Sequence, residues 1–366
     1  MIKNYTCDFI LKRIKKRIKG NLNGKWNLPI YYVVDPNINL NLLFQALNHI
    51  QTETCIRFRK INKPLDYKPG FNFRLSNKCF SFVGKVTDYY FQDISIGPEC
   101  SDFSGIQHEV IHALGHHHEH NRVNRNKYLD IDFKNIRQDI LKEFVIVRKF
   151  NSETFNIPYE YASIMHYNLY LGSKNTRPTM FPKIKAYKKT VGTSTKATFL
   201  DLKYLNFQYC QHICPKKIFC YNWGYQNPNN CNSCKCPEGY FGGKCEKLFY
   251  IKQNCGDGII NLGSQEINLH FSGSKYCVTH LKTDIRSIIN IKIVNVQLFP
   301  NLYWGCKNFN SIEIKFLKDK SLTGARFCGL DNKIFFVSEN HHVIIIYRSS
   351  ISNNYANLSF NQSIIV

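Results

Sequence analysis

HEVIHALGHHHEHNR, residues 108–122, is the stretch from which the rest of the chain can be read. On a helix, residues four apart share a face, so His108 and His112 can grip one metal ion. Gly115 follows three residues after His112 and can take the positive φ that ends a helix and turns the chain back. That turn lets His118 reach the same ion from another direction. Three imidazoles leave one position open for water, as a catalytic zinc site requires. Glu109, directly after the first ligand, is placed to take a proton from metal-activated water and deliver it to a leaving amine. His116 continues the i, i+4 series, yet it lies about 12 Å along the helix axis from His108, too far to share its ion. His117 and His120 read as surface histidines or as substitutes for aromatic packing. Two histidines four apart are common; the full string HExxHxxGxxH is very specific.

Around this string the composition is that of a folded, multi-part chain. With 366 residues, there is room for a protease-sized core and one or two appendages. The balance of 43% hydrophobic to 20% charged residues is globular rather than disordered. The formal charge of +23 favours anionic surroundings such as sulphated matrix glycans or acidic proteins. No nucleic-acid module accompanies it, so nucleic acid is not an expected partner. Fifteen cysteines, concentrated in the second half, argue for an oxidising compartment and hence secretion. No apolar run is long enough to span a membrane. The N-terminus lacks the apolar stretch of a signal peptide, so secretion rests on the cysteines.

Along the chain, residues 1–17 form a basic segment with Cys7 and the run Lys15-Lys16-Arg17, read either as a solvated tail or as the remnant of a pro-segment cleaved before Ile18. LPIYYVV (28–34), IRFRK, FNFRL, FSFVGKV and ISIG are predicted strands, and LNLLFQALNHI (40–50) a helix. A helix is predicted over 102–117, opened by Ser101 or Asp102 and halted by Gly115, and a second over 132–150. A Pro- and Lys-rich irregular stretch (172–192) precedes a closing helix in TFLDLKYLNFQYC. Boundaries fall near 212 and 250, where the texture turns first to Cys, Asn and Gly and then to β-like runs such as INIKIVNV and VIIIY.

The string HExxHxxGxxHExxR is similar to the astacin signature, matched at His108, Glu109, His112, Gly115, His118, Glu119 and Arg122. SIMHY (163–167) resembles that family's Met-turn. The resemblance, which covers roughly residues 26–210, implies an α+β metzincin catalytic domain with an N-terminal mixed sheet, a zinc-site helix and an irregular C-terminal subdomain. It also implies one Zn2+ per chain, Met165 as an apolar floor, and Tyr167 as an extra ligand that swings away to stabilise the tetrahedral intermediate. Glu119 would meet the new N-terminus that activation releases. The implied disulfides are Cys55–Cys210 and Cys79–Cys100. Two departures stand out: His116 and His117 replace usual aromatics, and Ser194 stands where many members carry an arginine favouring acidic residues after the cleaved bond.

Downstream, the cysteines ending in CPEGYFGGKC resemble an EGF-like module (213–249), which implies pairs Cys214–Cys231, Cys220–Cys234 and Cys236–Cys245. Six cysteines alone allow fifteen pairings, so these rest on the resemblance. Residues 250–366, with Cys255–Cys277, Cys306–Cys328 and IEIKFLKDKSLTGARFCG (312–329), resemble a CUB-like β-sandwich. Peptidase (18–212), EGF-like and CUB-like modules in that order are typical of nematode-type astacins. The expected function is therefore a secreted zinc metalloendopeptidase acting on extracellular proteins. The alternatives are an inactive adhesion protein working through its tail and, less favoured, a histidine-rich metal store.

Overall fold

A computed structural model describes residues 24–148, 153–300 and 305–364. The basic segment with Cys7, Lys15 to Arg17 and Ile18 lies outside the described residues.

The N-terminal part is a mixed five-stranded sheet backed by two helices. Strands β1 (Ile30–Val34), β2 (Phe58–Lys60), β3 (Gly70–Leu75), β4 (Phe80–Ser81) and β5 (Phe91–Ile96) stand in the order β2-β1-β3-β5-β4. All pairs are parallel except β4 with β5. Helix α1 (Leu40–Glu53) buries Leu43, Ala46, Leu47 and Ile50, the i, i+3, i+4, i+7 stripe of its sequence. Asn39 starts it by accepting from the Leu42 amide. Helix α2 (Phe103–Ala113) begins at Asp102, whose carboxylate accepts from the Gly105 amide at 2.7 Å. Such a cap contributes about 1 kcal/mol. Ile106, Val110, Ile111 and Ala113 bury the inner face of α2. Trp26 donates its indole N–H to the Ala113 carbonyl, so the helix end is satisfied from the sheet side.

Beyond Gly115 regular structure becomes sparse. Among the described residues 132–148 the expected helix does not form. Its place is taken by short 3₁₀ turns at Phe133–Asn135 and Gln138–Phe144. Tertiary partners claim the backbone groups that a helix would need. The Arg137 amide donates to Gly172, the Val147 amide to Asn121, and the carbonyls of Glu143 and Val145 accept from the Asn121 side chain. Helix α3 (Phe199–Tyr209) then closes the part, opened by a reciprocal cap between Thr198 and Asp201. The disulfide Cys55–Cys210 ties its end back to the end of α1.

The tail is stapled by Cys214–Cys231, Cys220–Cys234, Cys236–Cys245, Cys255–Cys277 and Cys306–Cys328; Cys79–Cys100 completes the seven described bridges. Residues 214–248 carry two minimal hairpins, Tyr225–Gln226 with Cys234–Lys235 and Tyr240–Phe241 with Lys247–Leu248. From Ile259 onward the chain is a β-sandwich with sheets of five and four strands. Strand His342–Ser349 lies at the centre of the first, and its residues Val343 to Tyr347 are fully buried. The apolar run VIIIY is therefore a strand covered on both faces.

These parts close into a ring of contacts. Asn229 and Lys235 cap the carbonyls of Gln51 and Thr52 at the end of α1. Arg348 of the sandwich pairs with Glu238 at 2.5 Å. One apolar cluster runs from Leu129, Tyr161 and Tyr187 into Phe316, Phe327 and Leu358.

Candidate metal centre

Helix α2 presents His108 and His112 one turn apart, and Gly115 turns the chain at φ +107°. The positive φ is what reserves Gly115 for glycine; a Cβ there would also have to push the Gln208 side chain aside. His118 Nε2 then lies 2.9 Å from His112 Nε2 and 3.2 Å from His108 Nε2. Among the described residues this is the one cluster of three metal-ligating side chains.

The donor set fits a cation. His108 Nδ1 donates to the Ile164 carbonyl at 2.8 Å, and His112 Nδ1 donates to the His116 carbonyl at 2.7 Å. With Nδ1 holding the proton, His108 and His112 each turn an Nε2 lone pair toward His118 Nε2, an arrangement that a cation shared by the three nitrogens would satisfy. Tetrahedral zinc with Zn–N of about 2.0 Å places its nitrogens about 3.3 Å apart, close to what is found. Burial lowers the pKa of all three, and mutual repulsion with neighbouring imidazoles lowers His112 and His118 further. All three are thus kept in the neutral, ligating form.

Glu109 is buried beside the ligands, and burial pushes its carboxyl up to about 7. The Tyr167 ring centroid is 4.4 Å from that of His118. Burial, with Glu143 and Glu109 nearby, pushes the Tyr167 phenol up to about 12, so it is a proton donor at neutral pH. Met165 is fully buried, and its carbonyl accepts from the Glu119 amide at 2.9 Å, which locks the turn to the third histidine. Arg122 donates to Glu119 at 3.0 Å. Burial would raise Glu119, but the His116 imidazole and the Arg122 guanidinium outweigh it and hold its carboxyl below the usual range.

His116 stays outside the cluster and stacks on Tyr204 at 4.3 Å. His120 is not a surface residue: it is fully buried, donates to the Glu143 carbonyl and packs against Phe144 and Tyr167. The packing role, not the surface one, is correct for it, because 3₁₀ turn Glu119–Asn121 faces the 138–144 segment.

Several supporting residues escaped the sequence reading. Asp201 accepts from Ser163 and from the Ile164 amide, so the closing helix holds the carbonyl that orients His108. Its signal was the Thr198-x-x-Asp201 cap. Gln107 accepts from the Ala197 amide and donates to the Ala46 carbonyl, and only its burial in three dimensions betrays it.

The family model of the peptidase family described as Astacin matches residues 19–210. The chain is 30% identical over 372 residues to zinc metalloproteinase nas-34 of Caenorhabditis elegans, covering 99% of this chain and 61% of that one. It is 32% identical over 321 residues to zinc metalloproteinase nas-26 of the same species, covering 84% and 75%. Among solved structures it is similar to high choriolytic enzyme 1, a hatching enzyme zinc-protease from Oryzias latipes, at 27% identity, TM-score 0.45 and coverage of 53% and 94%. The chain spans 61% and 59% of the length of the first two relatives it matches. The chain belongs to the astacin family of metallopeptidases, which use one catalytic zinc.

Proposed function

We propose that this chain is a secreted zinc metalloendopeptidase that hydrolyses peptide bonds in extracellular proteins. The observation that carries the reading is the convergence of three imidazole nitrogens beside a buried carboxyl. His108, His112 and His118 would hold the ion, which when bound activates water and polarises the scissile carbonyl. Glu109 takes the proton of the attacking water and returns it to the departing amine. Tyr167 donates its hydroxyl to the oxygen that becomes negative as the carbonyl is attacked. Met165 excludes water from beneath the histidines.

Seven described disulfides support an extracellular setting. The pairing and hairpins of residues 213–249 support an EGF-like module, and the two facing sheets of 250–366 support a CUB-like one, with the peptidase part over 18–212. The +23 charge supports binding to anionic matrix glycans. No helix among the described residues is long and apolar enough to cross a membrane.

Elemental analysis and a general protein substrate test the reading together. One zinc per chain, activity lost to a chelator and restored by zinc, is the expected result. A chain that holds one zinc yet cleaves nothing would leave the adhesion role in its place.

A further inference from the structure

Residues 189–197 run between two layers that grip them from opposite sides. From the sandwich, the Cys306 amide donates to the Lys189 carbonyl at 2.7 Å, and the Arg326 amide donates to Thr190 Oγ1 at 2.8 Å. Lys189 Nζ bonds Asp331 at 2.7 Å and the Cys328 carbonyl at 2.9 Å. Thr195 Oγ1 donates to Asn308 Oδ1 at 2.8 Å. Gly305, at φ +127°, approaches so closely that a Cβ there would stand 2.6 Å from Thr193 Cγ2. The Cys306–Cys328 disulfide joins these grips into one piece.

On its other side, the same segment presses on the turn that carries Met165 and Tyr167. The Gly192 amide donates to the Tyr161 carbonyl, and Ser194 Oγ donates to the Ala162 carbonyl. A Cβ on Gly192 would stand 2.6 Å from the Tyr167 carbonyl carbon and 2.5 Å from the Asn168 amide nitrogen, so backbone lies on backbone there. At its far end the Ala197 amide bonds Gln107, the neighbour of His108.

We propose that the sandwich loop of Gly305, Cys306 and Asn308 is a positioning element of the peptidase site: it holds residues 189–195 against the Tyr167 backbone and so fixes where the Tyr167 hydroxyl stands. The proposal rests on the peptidase reading. Beyond Lys189 the segment has no regular secondary structure, and its bonds at Lys189, Thr190 and Thr195 make the sandwich one of the two layers that hold it. A group that acts only in the transition state is sensitive to displacements of about 1 Å, which cost up to about a hundredfold in rate. The C-terminal sandwich is on this account part of the catalytic apparatus and not only a tether.

The test is steady-state kinetics on the full chain. Asn308→Ala is expected to lower kcat about tenfold with KM within about twofold. Thr195→Val, which removes the donor without changing shape, should reproduce the loss, and the two together should not add. Asn308→Asp keeps the acceptor oxygen and should restore most of kcat. In a Tyr167→Phe background, Asn308→Ala should cost nothing further. Unchanged kcat in Thr195→Val, or the same tenfold loss in the Tyr167→Phe background, overturns the proposal. A wild-type chain that holds zinc but cleaves nothing overturns the peptidase reading instead.

Discussion

Glu160 accepts hydrogen bonds from both the backbone amide and the hydroxyl of Thr323, at 3.1 and 3.3 Å. The first residue belongs to the peptidase part and the second to the sandwich. The other Glu160 oxygen accepts from the Ala162 amide, and its own amide donates to Glu119. One buried carboxyl thus joins the sandwich to the residue that follows the third histidine. Burial pushes it up to about 8. It lines a cavity of about 60 Å³ together with Glu119, Asp201, Arg122 and His116.

The astacin resemblance implies that an N-terminus released on activation meets Glu119, one of the residues lining this cavity. An α-ammonium group there would add a further partner to Glu119 beside Arg122 and His116. N-terminal sequencing of the active secreted form is expected to read from Ile18, without Cys7. Fully active enzyme that retains Cys7 would reject this.

Glu109→Gln should keep one zinc per chain and lose turnover by about 10²–10⁴-fold, because it removes the base and leaves all three imidazoles. Elemental analysis beside an activity assay checks both halves. Normal activity would remove the proposed role.

Tyr167→Phe should lower kcat about a hundredfold with KM nearly unchanged, since the hydroxyl contact strengthens only as negative charge develops. A loss confined to KM would make Tyr167 a substrate-binding residue.

The chain should bind heparin and be released by salt, because screening shortens the reach of a +23 charge. Retention that is identical at low and high salt would count against a matrix-glycan partner.

Glu313 lies buried between Arg326 Nε at 3.1 Å and Arg348 Nη1 at 3.2 Å. Burial alone would raise its carboxyl, but the two guanidiniums outweigh this and hold it at about 2. Its folded pKa is below the unfolded value of about 4.3, so its contribution is complete above that value and lost as pH falls towards 2. Glu313→Gln should therefore destabilise the protein by about 3 kcal/mol at neutral pH and flatten the acid limb of its stability curve. Thermal melts of both forms from neutral pH down to about pH 2 measure it; parallel acid limbs would contradict it.

The sequence by itself singled out the three histidines that the structure brings together, because HExxHxxGxxH encodes a helical face, a glycine turn and a third reach within one short consecutive run. It marked the individual strands and helices α1, α2 and α3, whose caps at Asn39, Asp102 and Thr198 are local; the order of the strands in the sheet is not. Segment 132–150 was not legible, since Asn121, His120 and Gly172 take its backbone bonds from a distance. His120 went inside for that reason too. Only the tertiary structure brought Gln107 to Ala197, Asp201 to Ile164, Glu160 to Thr323 and Asn308 to Thr195. Each of these bonds joins residues far apart along the chain, so no local period records them; they exist because the packed core and the disulfides fix the parts against one another.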